Sequence, residues 1–360
     1  MLLHNKLNKT FKSQITLTVF KNIESSLNDN LPFVCYRKPN ENNISCFFQH
    51  DDILHSDKNL NTSGFIFAPF DDNEPPVIIP KENSRFIQEI YSETKNKNNI
   101  NLNLNSLTSK EKHIKLIKKG IEAIHNKKLE KVVLTRKEVV HLKENKPIEF
   151  FKNLLCSYEN AFVYIWFHPK IGLWLGATPE TLVKTKNKNF ETMSLAGTLA
   201  FQGNTSPNWT IKEIEEQQLV TDYIIKKLSP LCKVIKSGKA ETVKAGKLLH
   251  LKTKINGTLA APISKLIKTL HPTPAVCGLP KDISRKFIQE NESYKRTFYT
   301  GYLGELDLFN KTELYVNLRC MEIKDSKALI YVGGGITKDS LSEDEWIETI
   351  EKSKTMKKIL

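Results

Sequence analysis

Two short acidic segments carry the most informative chemistry in this chain. Glu213 and Glu216 are three residues apart, and so are Glu345 and Glu348. Residues at that spacing lie on one face of a helix, so each pair can present two carboxylates to the same side. Two such pairs facing each other would form an all-oxygen site for a hard cation such as Mg²⁺. The alternative is that both pairs are solvated helix faces.

Two other charged residues could act as a base and an acid. Lys131 begins the apolar strand-like run 131–140, and burial lowers the pKa of a lysine until it can accept a proton. Glu180 ends the segment 176–180, where a partly desolvated carboxyl has a raised pKa and could protonate a leaving group. As alternatives, Lys131 is a strand-edge gatekeeper, and Glu180 lies in the first turn of a helix capped by Thr178.

Several further residues could hold an anionic substrate. Arg319 lies in a predicted strand, 315–321, and an arginine among apolar neighbours needs an anionic partner such as a substrate carboxylate. The glycines at 333–335 interrupt a β-branched and aromatic run and can present consecutive backbone amides to an anion. Their spacing does not match a dinucleotide-binding fingerprint. His250 lies on a predicted strand, where it is either a site residue or a satisfied core histidine.

The run 270–280 contains three prolines, which excludes a helix or a central strand. We therefore predict an ordered, irregular loop, of the kind that often lines a site, with Ala275 near its middle. Tyr299 stands two residues before Gly301 and offers a phenol at the entry of a predicted strand. Gly197 closes another predicted strand, where it is either an ordinary turn glycine or a point of close approach to a ligand.

The elements that must position these residues come in blocks of strands and blocks of helices. Strand-like runs are predicted at 33–36, 64–68, 131–140, 161–168, 173–176, 192–195, 301–308, 313–323 and 328–332. Helices are predicted at 109–126, at about 208–228, from about 282 and at about 343–359. This order favours an α+β fold with antiparallel sheets over strict βαβ alternation. The polar stretch 94–109 is predicted to be a mobile loop.

Composition limits the function classes. The 360 residues carry a net charge of +14, with 39% hydrophobic and 26% charged residues. Much of the positive charge lies in Lys/Asn-rich stretches such as 95–99 and 184–188, which resemble solvated loops more than a nucleic-acid surface. The six cysteines form no CxxC motif, as expected in a reduced compartment. We expect a cytoplasmic protein, because we find neither a signal peptide nor an 18-residue apolar run.

Taken together and in this order, the segments resemble the chorismate-utilising enzymes, a family that includes isochorismate, anthranilate, aminodeoxychorismate and salicylate synthases. The resemblance covers about residues 109–360, whereas residues 1–108 match only loosely. It rests on KVVLTR at 131–136, GATPE at 176–180, SLAGT at 194–198, EIEE at 213–216, HL at 250–251, the loop at 271–280, YTG at 299–301, LRC at 318–320 and the run 333–348. It implies one α+β domain over 1–360, with two antiparallel sheets packed centrally and helices outside.

Within the family, the chain resembles the isochorismate synthases. Aminodeoxychorismate synthases typically have a nucleophilic lysine where this chain has Ala196. Anthranilate synthases, which accept ammonia from a glutaminase partner, differ at 272–276. Water would then be the nucleophile, and the product would serve menaquinone or siderophore biosynthesis. Salicylate synthases, which go on to eliminate pyruvate, are the nearest alternative. A basic nucleic-acid-binding protein is the non-enzyme alternative.

The resemblance also implies a role for each site residue. Mg²⁺ would be bound directly by Glu216 and Glu348, and through water by Glu213 and Glu345. Lys131, as a neutral base, would deprotonate water, and Glu180 would protonate the departing hydroxyl. The implied substrate-binding residues are Gly197, His250, Ala275, Tyr299, Arg319, Gly335 and Lys352. We expect chorismate as the substrate, a monomer, and no nucleic-acid, membrane or glutaminase partner. One departure is Gly334, where many relatives have alanine.

Overall fold

The structure is a computed structural model, and it describes residues 18–91, 107–245 and 248–360. Its strands are Phe33–Arg37 (β1), Asn43–Gln49 (β2), His55–Ser56 (β3), Gly64–Ala68 (β4), Val77–Pro80 (β5), Ser84–Ile90 (β6), Lys131–His141 (β7), Phe162–His168 (β8), Gly172–Thr178 (β9), Thr181–Lys186 (β10), Asn189–Ala200 (β11), Cys232–Ser237 (β12), Glu241–Ala245 (β13), Leu248–Leu259 (β14), Gly278–Leu279 (β15), Tyr302–Leu308 (β16), Lys311–Val316 (β17), Cys320–Lys324 (β18) and Lys327–Ile336 (β19). Its helices are 18–28 (α1), Leu107–His125 (α2), Pro147–Ser157 (α3), Ile211–Leu228 (α4), Ile263–Leu270 (α5), Lys281–Asn291 (α6) and Ser342–Lys357 (α7).

The strands form two large antiparallel sheets. The first sheet has the order β15-β7-β19-β18-β9-β8-β1-β2-β6. The second has the order β12-β14-β11-β10-β17-β16-β4-β5-β3, and β13 pairs with β14 outside this path. Strands from the first hundred residues join both sheets, so the divergent N-terminal part and the motif-bearing part are built into the same two sheets. The predicted α+β fold with two antiparallel sheets is confirmed.

An aromatic core joins the inner faces of the two sheets, and helices cover the outer faces. Phe67 stacks on Phe298 at 4.2 Å, and Phe162 stacks on Tyr315 at the same centroid distance. Each such pair contributes about 0.5–1.5 kcal/mol beyond the apolar area that it buries. Residues of α1 and α3 pack on the outside of the first sheet, and those of α4 and α5 on the outside of the second.

Two of the chain's crossings between the sheets are hydrogen-bonded to each other. β9 lies in the first sheet and β10 in the second, and the chain returns from β17 to β18. Thr178 Oγ1 donates to the Val316 carbonyl at 2.6 Å, and the Val316 amide donates to the Glu180 carbonyl at 3.0 Å. These bonds satisfy backbone groups that lack ladder partners where the strands end. Two segments far apart in sequence are therefore held side by side.

The crossings correct two predictions. The predicted strand 313–323 is wrong, because β17 and β18 are separate strands in different sheets. Arg319 lies in the bend between them with φ +48°, a left-handed conformation that is uncommon for a residue with a side chain. The alternative of a helix capped by Thr178 is also wrong, because the chain continues from β9 into β10.

Most other predicted elements are present with small shifts of their ends, and three helices, α1, α3 and α5, were not predicted. The run of glycines does not break its strand as predicted, because β19 continues through residues 333–335 to Ile336. The predicted mobile loop at 94–109 lies largely outside the described residues. Within the described ranges, no helix is long and apolar enough to cross a membrane.

Candidate active site

One cavity, of about 970 Å³ with its open mouth included, lies where the two sheet crossings meet the N-terminal ends of α4 and α7. Every residue that the sequence singled out for the site lines it. These residues are Lys131, Glu180, Gly197, Glu213, Glu216, His250, Ala275, Tyr299, Arg319, Gly335, Glu345, Glu348 and Lys352. The structure therefore brings the whole predicted set together, while the role of each residue stays a prediction.

Lys131 lies on the cavity wall with only 3% of its surface exposed. β7 runs between β15 and β19, so the lysine is not a strand-edge gatekeeper. Its Nζ donates to Oε1 of Glu216 at 2.7 Å. The lysine is buried as predicted, but it is ion-paired with one of the two proposed direct metal ligands.

Glu180 lies in the crossing between β9 and β10, and its side chain is buried. Burial raises the pKa of this carboxyl to about 7, although the positive charges of Lys131, Lys352 and Arg319 partly oppose the shift. A substantial fraction of the group is therefore protonated at neutral pH. A buried carboxyl that keeps its proton near pH 7 is suited to general acid catalysis.

The second acidic pair lies on the first two turns of α7. Burial, together with the nearby negative charge of Glu348, raises the pKa of Glu345 to about 7. Oε1 of Glu345 accepts a hydrogen bond from Ser340 Oγ at 2.6 Å. Glu348 is ion-paired with Lys352, whose Nζ also donates to the Gly333 carbonyl at 3.0 Å. The two carboxylates repel each other, and a cation between them would relieve that repulsion.

The two glutamates of the first acidic pair bond to different partners. Glu216 faces Lys131, whereas Glu213 accepts hydrogen bonds from the backbone amide of Thr210, at 3.1 Å, and from the Thr210 hydroxyl. Thr210 and Glu213 thus form a capping box at the start of α4. This cap gives Glu213 a structural role that the sequence reading did not assign to it.

The donor set fits a hard divalent cation in its chemistry. All four glutamates lie around one cavity and offer only oxygen atoms, which Mg²⁺ prefers. They are not gathered at a single point. Within the described ranges, no three His, Cys, Asp or Glu side chains are grouped closely enough to hold a metal ion. Binding would require the two lysine–glutamate pairs to open.

The glycines at 333–335 lie at the edge of a strand that lines the cavity. The prediction that their consecutive amides all face an anion is wrong. They pair with β7 in regular antiparallel register, whereas β18 covers only residues 327–331 of β19. Backbone groups alternate sides along a strand. Because the Gly333 carbonyl accepts from Lys352, Gly333 and Gly335 face the uncovered edge and Gly334 faces β7.

These positions also leave little room for a side chain. A methyl group on Gly335 would come within 3.1 Å of Lys131 Cε and 3.2 Å of Glu216 Oε1. A methyl group on Gly334 would lie 3.1 Å from Glu345 Oε2, so an alanine there needs a small shift of that carboxylate. Gly335 therefore keeps open the space between Lys131 and the strand edge.

Arg319 provides an anion-binding group with no protein anion bound to it. Among the described residues, its guanidinium makes no hydrogen bond or ion pair, although it lies near enough to Glu180 and Glu348 to interact with their charges. Its backbone conformation is strained, and such strain is concentrated at functional sites. An arginine held in this way is suited to a substrate carboxylate.

His250 and Gly197 form one side of the cavity. The ring Nδ1 of His250 donates to the Gly197 carbonyl at 2.9 Å. Burial and the positive charges of Arg319 and Lys352 lower the pKa of His250 to about 3, so the ring is neutral. Gly197 has φ +69°, and a side chain there would approach Glu213 Cβ at 3.1 Å. The histidine is hydrogen-bonded and also lines the cavity, and its role as a site residue stays a prediction.

Tyr299 and Ala275 form another side. Tyr299 is buried and stacks on Tyr331 at a centroid distance of 5.4 Å. Ala275 lies in the irregular, proline-rich loop that the sequence predicted.

The sequence reading missed Lys212 and Ser340. Lys212 lines the cavity, with Nζ 3.9 Å from Glu345 Oε1, and Ser340 donates to the same carboxylate. Lys212 is next to Glu213 in the acidic segment, and this proximity could have identified it.

Comparisons with known proteins agree with this geometry. A family profile described as "Chorismate binding enzyme" matches residues 66–360. The chain is 30% identical over 262 residues to the isochorismate synthase DhbC of Bacillus subtilis, an alignment that covers 67% of this chain and 65% of that protein. It is 28% identical over 249 residues to the vibriobactin-specific isochorismate synthase of Vibrio cholerae, covering 66% of this chain and 63% of that protein. The matches thus span slightly less than two thirds of these relatives.

A solved structure shows the same fold. The menaquinone-specific isochorismate synthase MenF of Escherichia coli superposes with a TM-score of 0.76 and 20% sequence identity, covering 91% of this chain and 88% of that one.

Proposed function

The chain belongs to the chorismate-binding enzyme family, and from that premise we propose that it is an isochorismate synthase that uses Mg²⁺ as its cofactor. One observation carries the proposal: a buried lysine and a buried, partly protonated carboxyl share one cavity. Lys131 and Glu180 supply the base and the acid that are needed to add water at one ring carbon and remove a hydroxyl at another. The names of the relatives, isochorismate synthases, support the same assignment.

The proposed reaction is an isomerisation in which one water enters and one leaves. Lys131 accepts a proton from water as the water oxygen bonds to C2 of chorismate. The ring double bonds shift, and the bond from C4 to its hydroxyl breaks as Glu180 donates a proton to the departing oxygen. Lys131 and Glu180 come from different elements, as a reaction at two separate carbons requires. The proton gained by Lys131 must return to Glu180 through solvent before the next turnover.

We propose that Glu216 and Glu348 hold Mg²⁺ directly, with Glu213 and Glu345 acting through water. When bound, the ion supplies positive charge that holds the ring carboxylate. Two features support this assignment: the donor set offers only oxygen atoms, and burial together with the nearby charge of Glu348 raises the pKa of Glu345.

The remaining cavity residues would orient the substrate. Arg319, Tyr299 and Lys352, with the Gly335 amide, are proposed to hold the enolpyruvyl carboxylate. For Lys131 and Lys352 to act on water and substrate, their ion pairs with glutamates must open. His250 and Gly197 would border the ring near C4, and Ala275 would contact the substrate from the loop.

Water as the nucleophile removes the need for an ammonia source, so we propose that no glutaminase partner is required. We also propose that the enzyme is a cytoplasmic monomer and that its product enters menaquinone or siderophore biosynthesis.

Incubating the protein with chorismate and Mg²⁺, and separating the products by chromatography, tests the proposal. We expect isochorismate alone. Salicylate with pyruvate would instead identify a salicylate synthase, and ammonia-dependent anthranilate would identify an anthranilate synthase component. Absence of turnover, with salt-sensitive binding to DNA, would replace the enzyme proposal with the nucleic-acid-binding alternative.

The metal assignment predicts the behaviour of Glu216→Gln. This variant lacks a charged ligand, so we expect the Mg²⁺ concentration for half-maximal rate to rise by at least about 10–100-fold. Calorimetric titration with Mg²⁺ should show a matching loss of affinity. Glu215→Gln is the control, since Glu215 is exposed on the same helical turn and does not line the cavity. Equal Mg²⁺ affinity in the two variants would contradict the assignment.

A further inference from the structure

A buried ion pair behind the cavity wall takes no part in the proposed chemistry. Glu292 caps the C-terminal end of α6, and Arg296 follows four residues later. Their side chains are 1% and 2% exposed. The pair is bidentate, with Nε to Oε2 at 2.8 Å and Nη2 to Oε1 at 2.6 Å. Removing two charges from water is costly, so a buried pair of this kind needs further hydrogen bonds.

Arg296 makes those bonds with the wall of the cavity. Nη2 donates to the Val133 carbonyl at 2.7 Å, and Nη1 donates to the Val276 carbonyl at 2.9 Å and to Thr300 Oγ1 at 3.4 Å. With the two bonds to Glu292, these contacts use all five N–H donors of the guanidinium. No donor is left for a substrate.

The groups that Arg296 holds adjoin proposed substrate contacts. Val133 is two residues from Lys131 on β7, and Val276 follows Ala275 in the proline-rich loop. The Tyr299 amide donates to the carbonyl of Arg296 at 2.9 Å. The guanidinium itself therefore joins two wall segments from distant parts of the sequence, β7 and the proline-rich loop, and it also bonds Thr300 next to Tyr299.

Glu292 extends the network to the strand opposite the glycines. Its Oε1 accepts from the amide and the hydroxyl of Thr135, both at 2.8 Å. Thr135 pairs with Gly333 across the β7–β19 ladder. The pair thus also contacts the strand that supports the glycine edge.

We propose that Glu292 and Arg296 are positioning residues that hold the Ala275 and Tyr299 walls against β7 and so determine substrate affinity. The inference rests on the proposed function, because it takes chorismate as the ligand of the cavity. Lysine cannot replace this arginine, since a single ammonium cannot reach two carbonyls and a bidentate carboxylate at once. The catalytic pair lies outside the network and keeps its own contacts.

The test is Arg296→Lys, which keeps the charge but loses the planar set of donors. We expect the KM and the calorimetric Kd for chorismate to rise by about 10–100-fold, with kcat changed much less, because misplaced walls weaken binding before they alter the acid and base. The pH profile should keep the midpoint of the wild type. Glu292→Gln, which retains acceptor oxygen, should raise KM in the same direction but less.

Arg37→Lys is the matched control. Arg37 is 5% exposed and donates to the carbonyls of Leu155 and Tyr158 at 2.7 and 2.6 Å, and none of these three residues lines the catalytic cavity. It should lower Tm without changing KM. If Arg296→Lys folds and only lowers Tm, as Arg37→Lys does, the pair is merely structural and the proposal is overturned. If Arg296→Lys does not fold, Glu292→Gln becomes the deciding variant. A Kd for chorismate that is unchanged in Glu292→Gln would then overturn the proposal. Wild-type protein that binds chorismate without turnover would overturn the proposed function, while the Kd comparison would still test the positioning role.

Discussion

Replacing Glu180 with glutamine is expected to lower kcat by about 10²–10⁴-fold while chorismate and Mg²⁺ still bind. Glutamine has nearly the same shape but cannot donate a proton to the departing hydroxyl. Steady-state kinetics and calorimetric binding measure the two effects separately. Glu305→Gln is the control, since Glu305 is also buried but bonds Tyr36 and Lys38 away from the cavity. A wild-type rate in Glu180→Gln would refute the acid assignment.

The same carboxyl predicts the acid–base behaviour of the wild type. A general acid must be protonated, so kcat/KM should fall as pH rises through about 7, and this limb should be absent in Glu180→Gln. The folded pKa of Glu180 is raised above the ordinary value of 4.5. Its contribution to stability is therefore complete below about pH 4.5 and is lost as pH rises to about 7.

At pH 8 the ionised, buried Glu180 should cost about 3 kcal/mol, which Glu180→Gln should recover as a higher Tm. At pH 4 the two proteins should unfold at similar temperatures. A stability difference that does not vary with pH would show that burial of this carboxyl is not the cause.

Replacing Lys131 with alanine is expected to lower kcat by a comparable factor, about 10²–10⁴-fold, because no other base would stand at this point of β7. The variant also removes the partner of Glu216, so its Mg²⁺ affinity should change as well. Chorismate turnover and Mg²⁺ titration measure the two consequences.

Lys38→Ala is the control for this experiment. Lys38 pairs with Glu305 at 2.8 Å, much as Lys131 pairs with Glu216 at 2.7 Å, but it lies away from the cavity. It should lose stability and keep kcat. Equal activity in Lys131→Ala and Lys38→Ala would remove Lys131 from the mechanism.

Local features of the sequence were sufficient to predict several elements. Glu213 and Glu216 lie on α4, and Glu345 and Glu348 on α7, as their three-residue spacing predicted, because a helical period is set within a few residues. The prolines at 270–280 likewise predicted an irregular loop, since proline lacks the amide that a strand ladder needs.

The prediction of one continuous strand through Arg319 was wrong for a clear reason. The run 313–323 is largely apolar, because β17 is buried in the second sheet and β18 in the first. Hydrophobicity reports that a segment is buried but not which sheet buries it. The crossing at Arg319, with its positive φ, is therefore absent from the local pattern. The prediction that the glycines at 333–335 interrupt their strand was wrong for a related reason. Only the pairing with β7 shows that the strand continues through them.

The sequence alone determined which residue types are available and which of them share a helix face or a strand end. It thereby determined the family, the fold class and the composition of the site. Only the tertiary structure decided how the charges are shared: Lys131 pairs with Glu216 across 85 positions of the chain, and Glu180 is buried at a sheet crossing. The physical reason is that Coulomb interactions and desolvation depend on distance and burial in the folded chain. Spacing along the sequence determines neither.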